Sequence, residues 1–262
     1  MATPDQKLHK AVRENDIKLV ETFLNSGVDI NCLFYGWTPL QLAIENGLQE
    51  MAVYLITKGC DPKQHDKNTK SPFEESVLKK EAKVVEALVS HGVSASQSLS
   101  TGDSALCFAV ELGCVELVKA LLNGNADPNS VNKRNESAVY IACQEGEVDI
   151  LKELLKKGAD VNMIIRENNN FTPLIAAVAS DNEDIVKVLL QNKACVNAQD
   201  SDGWTPLWHA YSNSNEDISE ILLRAGAQMD ITNNEGKTVL QEANENEDDD
   251  FIDLFNKFKG VI

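Results

Sequence analysis

A six-residue motif recurs along the chain at an almost constant interval. Its copies begin at Thr38, Ser71, Ser104, Ser137, Thr172, Thr205 and Thr238, so five of the six intervals are 33 residues and the other is 35. An atypical copy begins at Gln6, 32 residues before the first. A fixed period of this length is the signature of a repeat architecture, in which each repeat buries its apolar face against its neighbours. We therefore predict one repeat domain over residues 1–262, with repeats starting near residues 6, 38, 71, 104, 137, 172, 205 and 238 and the first and last acting as caps.

Each repeat carries start and stop signals for two helices. A Ser or Thr opens the motif as an N-cap, and four copies continue with proline, which suits the first helical position because no N–H is needed there. A second amphipathic segment ends at a residue suited to the left-handed conformation, which is Gly27, Gly59, Gly92, Gly158 or Gly226 in five repeats. Asn125 and Lys193 stand there in two others, and we expect strain at Lys193. A short β-like turn, here called a finger, then leads to the next motif.

This pattern resembles the ankyrin repeat. The signature of that family is an N-capped Thr-Pro-Leu-His-x-Ala helix, a second helix that ends in Leu-Leu-x-x-Gly-Ala-Asp-x-Asn, and a projecting hairpin; Thr38-Pro39-Leu40-Gln41-Leu42-Ala43 and the other copies match it over essentially the whole chain. The resemblance implies an all-α solenoid of stacked helix-turn-helix repeats with β-hairpin fingers. It also implies that partners bind through the finger tips and the exposed face of the first helices.

Composition limits the functions open to such an array. The formal net charge is −17, from 24 basic and 41 acidic residues, which opposes nonspecific binding to DNA, RNA or anionic lipid. No apolar stretch approaches the roughly 20 residues of a membrane helix. Six cysteines and four histidines lie without metal-ligand or disulfide-framework spacing, and no phosphate loop or nucleophile motif occurs. We expect no cofactor, no metal and no catalysis, a cytoplasmic or nuclear location, and a monomer without membrane contact.

The candidate partner-binding residues lie on the fingers and near the ends of the first helices. The residue before the motif is a large aromatic at Trp37, Phe171 and Trp204, a type enriched in binding hot spots. Phe34 and Tyr35 share the finger of Trp37 and make it more apolar than a turn requires. Repeats four and five add five acidic or apolar residues: Asp103, Glu111, Leu112, Glu136 and Glu145. We predict a protein partner that presents a basic, partly apolar segment.

A second prediction concerns the first two to three repeats. Gly36-Trp37-Thr38-Pro39-Leu40 and the segment 61–73 are similar to the ankyrin sensor domain of ribonuclease L, which binds 2′,5′-linked oligoadenylate. The resemblance implies that Trp37 stacks on an adenine and that Lys67 meets a phosphate, with Lys70 adding positive charge. Stacking combined with a cation is a sound way to hold a short nucleotide. Under this alternative the ligand is a short oligonucleotide, although Asp103 stands where a further aromatic would be needed.

One modification site is also predicted from resemblance. Leu154, Asp160, Val161 and Asn162 match the spacing at which an asparaginyl hydroxylase modifies ankyrin fingers, with Leu eight residues before the Asn. Asn162 is therefore a candidate for hydroxylation.

Two aromatic features are expected to serve packing. Trp208 lies inside the first helix of repeat seven at a core position, so we do not count it as a binding residue. Phe251 and Phe255 follow the acidic run 242–250 at helical spacing, which predicts a final cap helix with acidic residues at its N-terminus. The alternative for this segment is a short motif that docks on a partner.

Overall fold

The computed structural model describes residues 3–64, 70–166 and 168–259. Sixteen helices lie in these residues and follow one another as eight pairs, which confirms the predicted all-α class. The chain divides into two compact units, unit 1 (Met1–Asp127) and unit 2 (Pro128–Ile262). None of the described helices combines the length and the apolar character needed to cross a membrane.

Unit 1 contains four helix pairs in two layers. The pairs are α1 (Pro4–Arg13) and α2 (Ile17–Asn25), α3 (Pro39–Glu45) and α4 (Gln49–Thr57), α5 (Pro72–Leu78) and α6 (Ala82–Ser90), and α7 (Ala105–Glu111) and α8 (Val115–Asn123). The first helices pack in the order α1, α3, α5, α7, and the second helices α4, α6 and α8 pack beside one another. Each pair thus buries its apolar side against the next, as stacked repeats must.

Unit 2 repeats this arrangement. Its pairs are α9 (Ala138–Glu145) and α10 (Val148–Lys156), α11 (Pro173–Ala179) and α12 (Glu183–Gln191), α13 (Pro206–Ser212) and α14 (Glu216–Arg224), and α15 (Val239–Glu245) and α16 (Asp249–Phe258). The helices α9, α11, α13 and α15 form one layer, and α10, α12, α14 and α16 form the other. In α16, Phe251 and Phe255 are buried and lie 5.0 and 6.4 Å from the ring of Tyr211. The structure therefore supports the cap-helix interpretation of this segment.

The helix starts follow the predicted caps, with one exception. In all seven regular motifs the Ser or Thr hydroxyl accepts a hydrogen bond from the backbone N–H three residues on. The first helix begins at Pro4, three residues before Lys7, the start expected from the Gln6 register. Thr3 caps it, and the Gln6 side chain accepts from the Thr3 N–H at 3.0 Å, which completes a capping box.

The helix stops also follow the sequence. The five glycines expected after the second helices have φ between 83° and 92°, in the left-handed region. Asn125 and Lys193 adopt the same conformation, with φ of 61° and 66°. The prediction that Lys193 occupies a strained backbone position is therefore confirmed.

Candidate functional site

Three fingers are organised by a buried polar side chain that sequence reasoning missed. Asn132, Asp200 and Asn233 are at most 8% exposed. The Oδ1 atom of each accepts the backbone N–H groups two and four residues later, at 2.8 to 3.0 Å. The signal lies in the sequence, since each of them stands three residues before a residue with positive φ, Asn135, Gly203 or Gly236. This side chain supplies the acceptor for two amides of the turn, which a helix or sheet ladder does not satisfy.

The first finger, residues 28–37, is built differently. Leu33 stands where those three fingers place the organising Asn or Asp, and it is 56% exposed, whereas Leu99 at the same position of the finger before Ser104 is buried. Phe34 and Trp37 exchange two backbone hydrogen bonds of 3.0 and 3.2 Å. The residues between them, Tyr35 and Gly36, have φ of 52° and 81°, so they form a two-residue turn of type I′.

This turn produces an exposed apolar surface. We define the first-finger tip as Leu33, Phe34, Tyr35 and Trp37. Tyr35 is 82% exposed, and its ring lies 4.4 Å from the half-buried ring of Phe34. The structure thus brings together the three aromatic residues predicted for this finger, with Trp37 half-buried at its base.

A buried histidine lies beneath the first-finger tip. His9 of α1 is 1% exposed; its Nδ1 lies 2.9 Å from the Asp5 carbonyl oxygen and its Nε2 lies 2.9 Å from that of Trp37. Its ring lies 5.5 Å from the ring of Phe34, and the Cys32 Sγ is 3.8 Å from Nδ1. Burial, together with the charges of Asp5 and Asp29, raises the pKa of the Cys32 thiol to about 12. Sequence reasoning assigned His9 no role, although it holds the histidine position of the ankyrin signature.

The aromatic finger residues of unit 2 are held by their neighbours. The ring of His209 lies 5.3 Å from that of Phe171 and 5.4 Å from that of Trp204. Its Nε2 lies 2.8 Å from the Asp200 carboxylate. Trp204 also stacks on Trp208, which is 3% exposed, so the expected packing role of Trp208 is confirmed. Phe171 and Trp204 therefore present only part of their surface.

The predicted acidic residues have different environments. Asp103 is 6% exposed, and its Oδ2 accepts from the Thr101 hydroxyl at 2.9 Å. The Glu136 side chain is 12% exposed, and its Oε2 lies 2.7 Å from both Arg134 Nε and Asn132 Nδ2. Neither carboxylate is part of an open acidic face, because each is engaged within its own finger, and this corrects the expectation from sequence.

The other members of the predicted acidic group lie at helix ends. Glu111 is exposed at the end of α7 in unit 1, and Leu112, half-buried, is the C-cap of that helix. Glu145 is exposed at the end of α9 in unit 2. Both carboxylates are therefore accessible, and their role in partner binding stays a prediction.

The residues of the nucleotide alternative are only partly described. Trp37 and Lys70 line one cleft with Gln41 and Glu75, and its volume is about 10 Å³, which is room for about one water. The Lys70 Nζ lies 3.4 Å from the Glu75 carboxylate. Lys67 lies outside the described residues. The described part of this cleft is too small to admit an adenine without a change in conformation.

Successive fingers are joined through asparagine side chains, and Asn162 is one of them. In unit 2 the Oδ1 atoms of Asn129, Asn162 and Asn197 accept the backbone N–H of a residue in the next finger at 2.7, 2.8 and 2.9 Å. In unit 1 the Asn31 side chain accepts the Asp61 N–H at 2.7 Å. Asn162 is exposed, so it is both accessible and part of this joint.

Comparison with known proteins agrees with the repeat pattern. The family model for ankyrin repeats (3 copies) matches residues 8–98, 106–200 and 196–258. The mouse 2-5A-dependent ribonuclease is 37% identical over 71 residues, which are 26% of this chain and 10% of the ribonuclease. The mouse B-cell lymphoma 3 protein homolog is 30% identical over 116 residues, 44% of this chain and 26% of that protein. The chain thus matches about a quarter or less of the length of these two relatives.

Solved structures show the same fold. The ankyrin repeat domain of Bcl-3, described as a unique member of the IkappaB protein family, matches with a TM-score of 0.68 and 26% identity over 79% of this chain and 94% of that one. The human ASB11 ankyrin repeat domain matches with a TM-score of 0.60 at 23% identity, over 84% of this chain and 98% of that one. Ankyrin repeat domains generally mediate protein–protein interactions and are typically non-catalytic. With its helix pairs, its fingers and a family model that matches most of its length, the chain belongs to the ankyrin-repeat family.

Proposed function

We propose that the chain is a non-catalytic adaptor that binds a partner protein, with the first-finger tip as its principal contact. The family role in protein–protein interaction supports the general function. The observation that supports this site is the exposure of Tyr35, which is 82% exposed at the tip of a hairpin. Aromatic side chains of this kind provide large contact area and are enriched in binding hot spots.

The backbone at Tyr35 strengthens this proposal. A left-handed conformation costs an L-residue other than glycine about 1 to 2 kcal/mol, and Asn or Gly relieves most of that cost. The other non-glycine residues with positive φ in the described chain are Asn, Asp, Ser, Lys and Glu, so Tyr35 is the one aromatic among them. Backbone strain of this kind clusters at binding sites, so it supports Tyr35 as a contact residue.

The test separates binding from stability at this position. We expect Tyr35→Asn to unfold at the same or a slightly higher temperature than the wild type, because Asn tolerates the turn better. We expect it to lose at least about tenfold in affinity for the partner, as for a hot-spot residue. Quantitative affinity capture from cell lysate with the full chain, combined with thermal unfolding, measures both effects.

A matched control exists in another finger. Glu235 occupies the corresponding position two residues before Lys237, and it is exposed. Glu235→Asn should leave the captured proteins unchanged, and Tyr35→Phe, which keeps the ring, should retain most of the binding. If the wild type and Tyr35→Asn capture the same proteins in the same amounts, the first-finger tip is not the contact.

The proposal includes a basic, partly apolar partner segment. The net charge of −17 and the exposed carboxylates of Glu111 and Glu145 favour a positive partner, with Phe171, Trp204 and Leu112 as further contacts. Charge attraction of this kind mainly accelerates association. Raising NaCl from about 50 to about 500 mM should therefore slow association of the captured partner by about tenfold or more. An association rate that does not depend on salt would remove the basic segment from the proposal.

The setting of the proposed adaptor is a reducing compartment, cytoplasmic or nuclear, in which it acts as a monomer. Cys32, Cys60 and Cys143 are buried as thiols, which supports this setting.

The second candidate function is binding of a 2′,5′-linked oligoadenylate through Trp37, Lys67 and Lys70. The 37% identity with the 2-5A-dependent ribonuclease supports it. Calorimetric titration of the full chain with 2′,5′-linked triadenylate tests it, and a Lys67→Ala/Lys70→Ala variant is the control. Binding that the double variant loses would support this candidate, and the absence of heat change at millimolar ligand would end it.

We also propose that Asn162 of the adaptor is hydroxylated. Its exposure and the resemblance of the 154–162 segment to hydroxylated fingers support it. Mass spectrometry of the peptide containing Asn162, from protein purified out of its native cells, should show the addition of one oxygen atom. An unmodified peptide would contradict this assignment.

A further inference from the structure

We infer that His209 forms, with the rings of Phe171 and Trp204, a subsite for one arginine side chain of the partner. The inference rests on the proposed function, because it names the residue of the basic segment that unit 2 would recognise. It involves residues of unit 2 alone, so it can be tested apart from the first-finger tip.

Asp200 determines which nitrogen of His209 carries a proton. Its Oδ2 lies 2.8 Å from Nε2 of His209, and its Oδ1 accepts the backbone N–H groups of Asp202 and Trp204 at 2.9 and 2.8 Å. Because a carboxylate only accepts, the proton of the neutral ring lies on Nε2 and Nδ1 is an acceptor. Nδ1 has no hydrogen-bond partner among the described residues, and it is not a buried atom. The ring therefore offers one open acceptor to a partner.

The charge of Asp200 favours a cation at this acceptor. Its side chain is 2% exposed, and no lysine or arginine among the described residues forms an ion pair with it. A buried charge is costly unless it is hydrogen-bonded or paired, and here only N–H groups offset that cost. A cation bound at Nδ1 of His209 would face the carboxylate across the imidazole ring and be attracted to it.

The position of His209 within the motif binds a lysine in two other repeats. Glu75 and Glu242 occupy the same motif position, and their carboxylates lie 3.4 and 3.1 Å from Nζ of Lys70 and Lys237. Each of these lysines is the residue that precedes its own motif. In the repeat of His209 the preceding residue is aromatic, so that finger supplies no cation at this place. A partner can supply it.

The aromatic rings beside His209 favour arginine over lysine. The rings of Phe171 and Trp204 lie 5.3 and 5.4 Å from that of His209, and both residues are half-buried. A guanidinium is planar and weakly hydrated, so it can stack on an aromatic face while its N–H groups donate in its own plane. An ammonium is a compact, strongly hydrated charge and gains less from such a surface.

The test uses the full chain and a short peptide with one arginine between glycines, blocked at both ends. The peptide is added at about pH 8, where a histidine of ordinary pKa is neutral. NMR follows the backbone N–H groups of Trp204 and His209 and the indole N–H of Trp204. We expect saturable shifts at millimolar peptide, and binding at least about tenfold weaker when citrulline, which has the same shape without the charge, replaces arginine. The corresponding lysine peptide should also bind more weakly than the arginine peptide.

Asp200→Asn tests Asp200 as the positioning residue of the subsite. The Asn oxygen can still accept both turn amides, as Asn132 and Asn233 do in their fingers. Its side-chain amide then donates to Nε2 of His209, so the proton of the neutral ring moves to Nδ1 and the open acceptor is lost. We expect the affinity for the arginine peptide to fall at least about tenfold. Nitrogen NMR of the ring should show the change of tautomer, which a merely structural role of Asp200 would not produce.

The reciprocal change in the next finger is the matched control. Asn233→Asp places a carboxylate in a finger whose motif has Glu242 in place of histidine, so binding of the arginine peptide should not change. If Asp200→Asn fails to fold, the comparison of the arginine and citrulline peptides on the wild type decides the case. Equal binding of these two peptides, or unchanged affinity in folded Asp200→Asn, overturns the inference. Equal binding of the lysine and arginine peptides overturns the assignment to arginine.

Capture of the partner separates this subsite from the proposed function of the first-finger tip. We expect the protein lost by Tyr35→Asn to bind Asp200→Asn about tenfold more weakly than the wild type. If Tyr35→Asn retains the partner, the proposal for the tip fails, and the peptide titration still decides the subsite. If Tyr35→Asn loses the partner but arginine is not preferred to citrulline, the docking function stands and the subsite fails.

Discussion

At the residue scale, Glu81 is a buried acid with one carboxyl oxygen that has no hydrogen-bond partner within the described residues. Glu81 precedes α6 and is 3% exposed. Burial raises the pKa of this carboxyl from 4.5 to about 7, although the charge of Lys79 opposes the shift. The folded chain therefore binds this proton more tightly than the unfolded chain does.

We predict that Glu81→Gln stabilises unit 1 at alkaline pH. The stabilisation from Glu81 is fully present below about pH 4.5 and is lost as pH rises through about 7, because ionisation of the buried acid is costly. Gln cannot ionise, so the variant should gain of the order of 1 to 3 kcal/mol over the wild type at pH 8 and little at pH 4.5. Hydrogen exchange of α5 and α6 at both pH values measures the difference. Glu86→Gln, at an exposed position on α6, is the control, and equal behaviour of the two variants would refute the role of Glu81.

Lys193 provides a second prediction at this scale. Its φ of 66° lies where Gly226 and Gly158 serve in the other repeats of unit 2. Lys193→Gly should therefore raise the free energy of unfolding by about 1 kcal/mol. Gly226→Ala, with φ of 92° at the corresponding position, should lower it by a similar amount. Urea denaturation of the full chain compares them, and a loss of stability in Lys193→Gly would show that its side chain matters more than its backbone.

At the scale of the element, the stability of three fingers depends on one buried polar side chain each, Asn132, Asp200 or Asn233, more than on their exposed residues. Asn233 is 8% exposed, and its Oδ1 accepts the N–H groups of Glu235 and Lys237 at 3.0 Å each. Asn233→Ala should destabilise unit 2 by about 1 to 2 kcal/mol, because two part-buried amides lose their acceptor. Asn233→Asp keeps the acceptor, as Asp200 does in the preceding finger, and should cost less than about 1 kcal/mol. Thermal unfolding that ranks the two variants equally would contradict this account.

The ends of the helices could be predicted from the sequence, but the surroundings of individual finger residues could not. Helix starts and stops were predictable because an N-cap hydroxyl or a left-handed glycine acts within a few residues of itself. The start of α1 was misplaced because Thr3 and Pro4 lie outside the repeat register that the other motifs share. The environments of Asp103 and Glu136 were not predictable, since the turn that surrounds each carboxylate depends on the three-dimensional path of the finger. The aromatic residues of the first-finger tip were identified, but the buried His9 that supports them was not.

At the scale of the whole molecule, the 33-residue period predicted a repeat architecture, because a single helix pair cannot bury its apolar face alone, and the resemblance of the motif to the ankyrin signature added the family. Charge is the property that distinguishes its two units. Residues 1–127 contain 17 acidic and 12 basic residues, whereas residues 128–262 contain 24 and 12, so the net charges are −5 and −12. Unscreened repulsion between like charges destabilises a compact state.

We therefore predict that low ionic strength weakens unit 2 more than unit 1. Reducing NaCl from about 300 to about 10 mM lengthens the screening distance from roughly 5 to 30 Å. Exchange protection should then fall further in α11 and α13 than in α3 and α7 of the same full-length sample. The experiment contains its own control, because both units experience the same buffer, and an equal change in the two would contradict the charge argument.

The asparagine joints between fingers have a consequence for how such a chain can change over generations. In each joint the side chain of Asn31, Asn129, Asn162 or Asn197 meets a main-chain N–H, and the residues that supply those N–H groups are Asp, Asp, Cys and Gln. A hydrogen bond to a main-chain N–H does not depend on which side chain the donating residue carries. A duplicated or exchanged repeat of 33 residues would therefore bring its own Asn, which can bond to the next finger whatever side chains that finger carries. Repeats can be added, lost or changed at their fingers without a change in the asparagine joints between them.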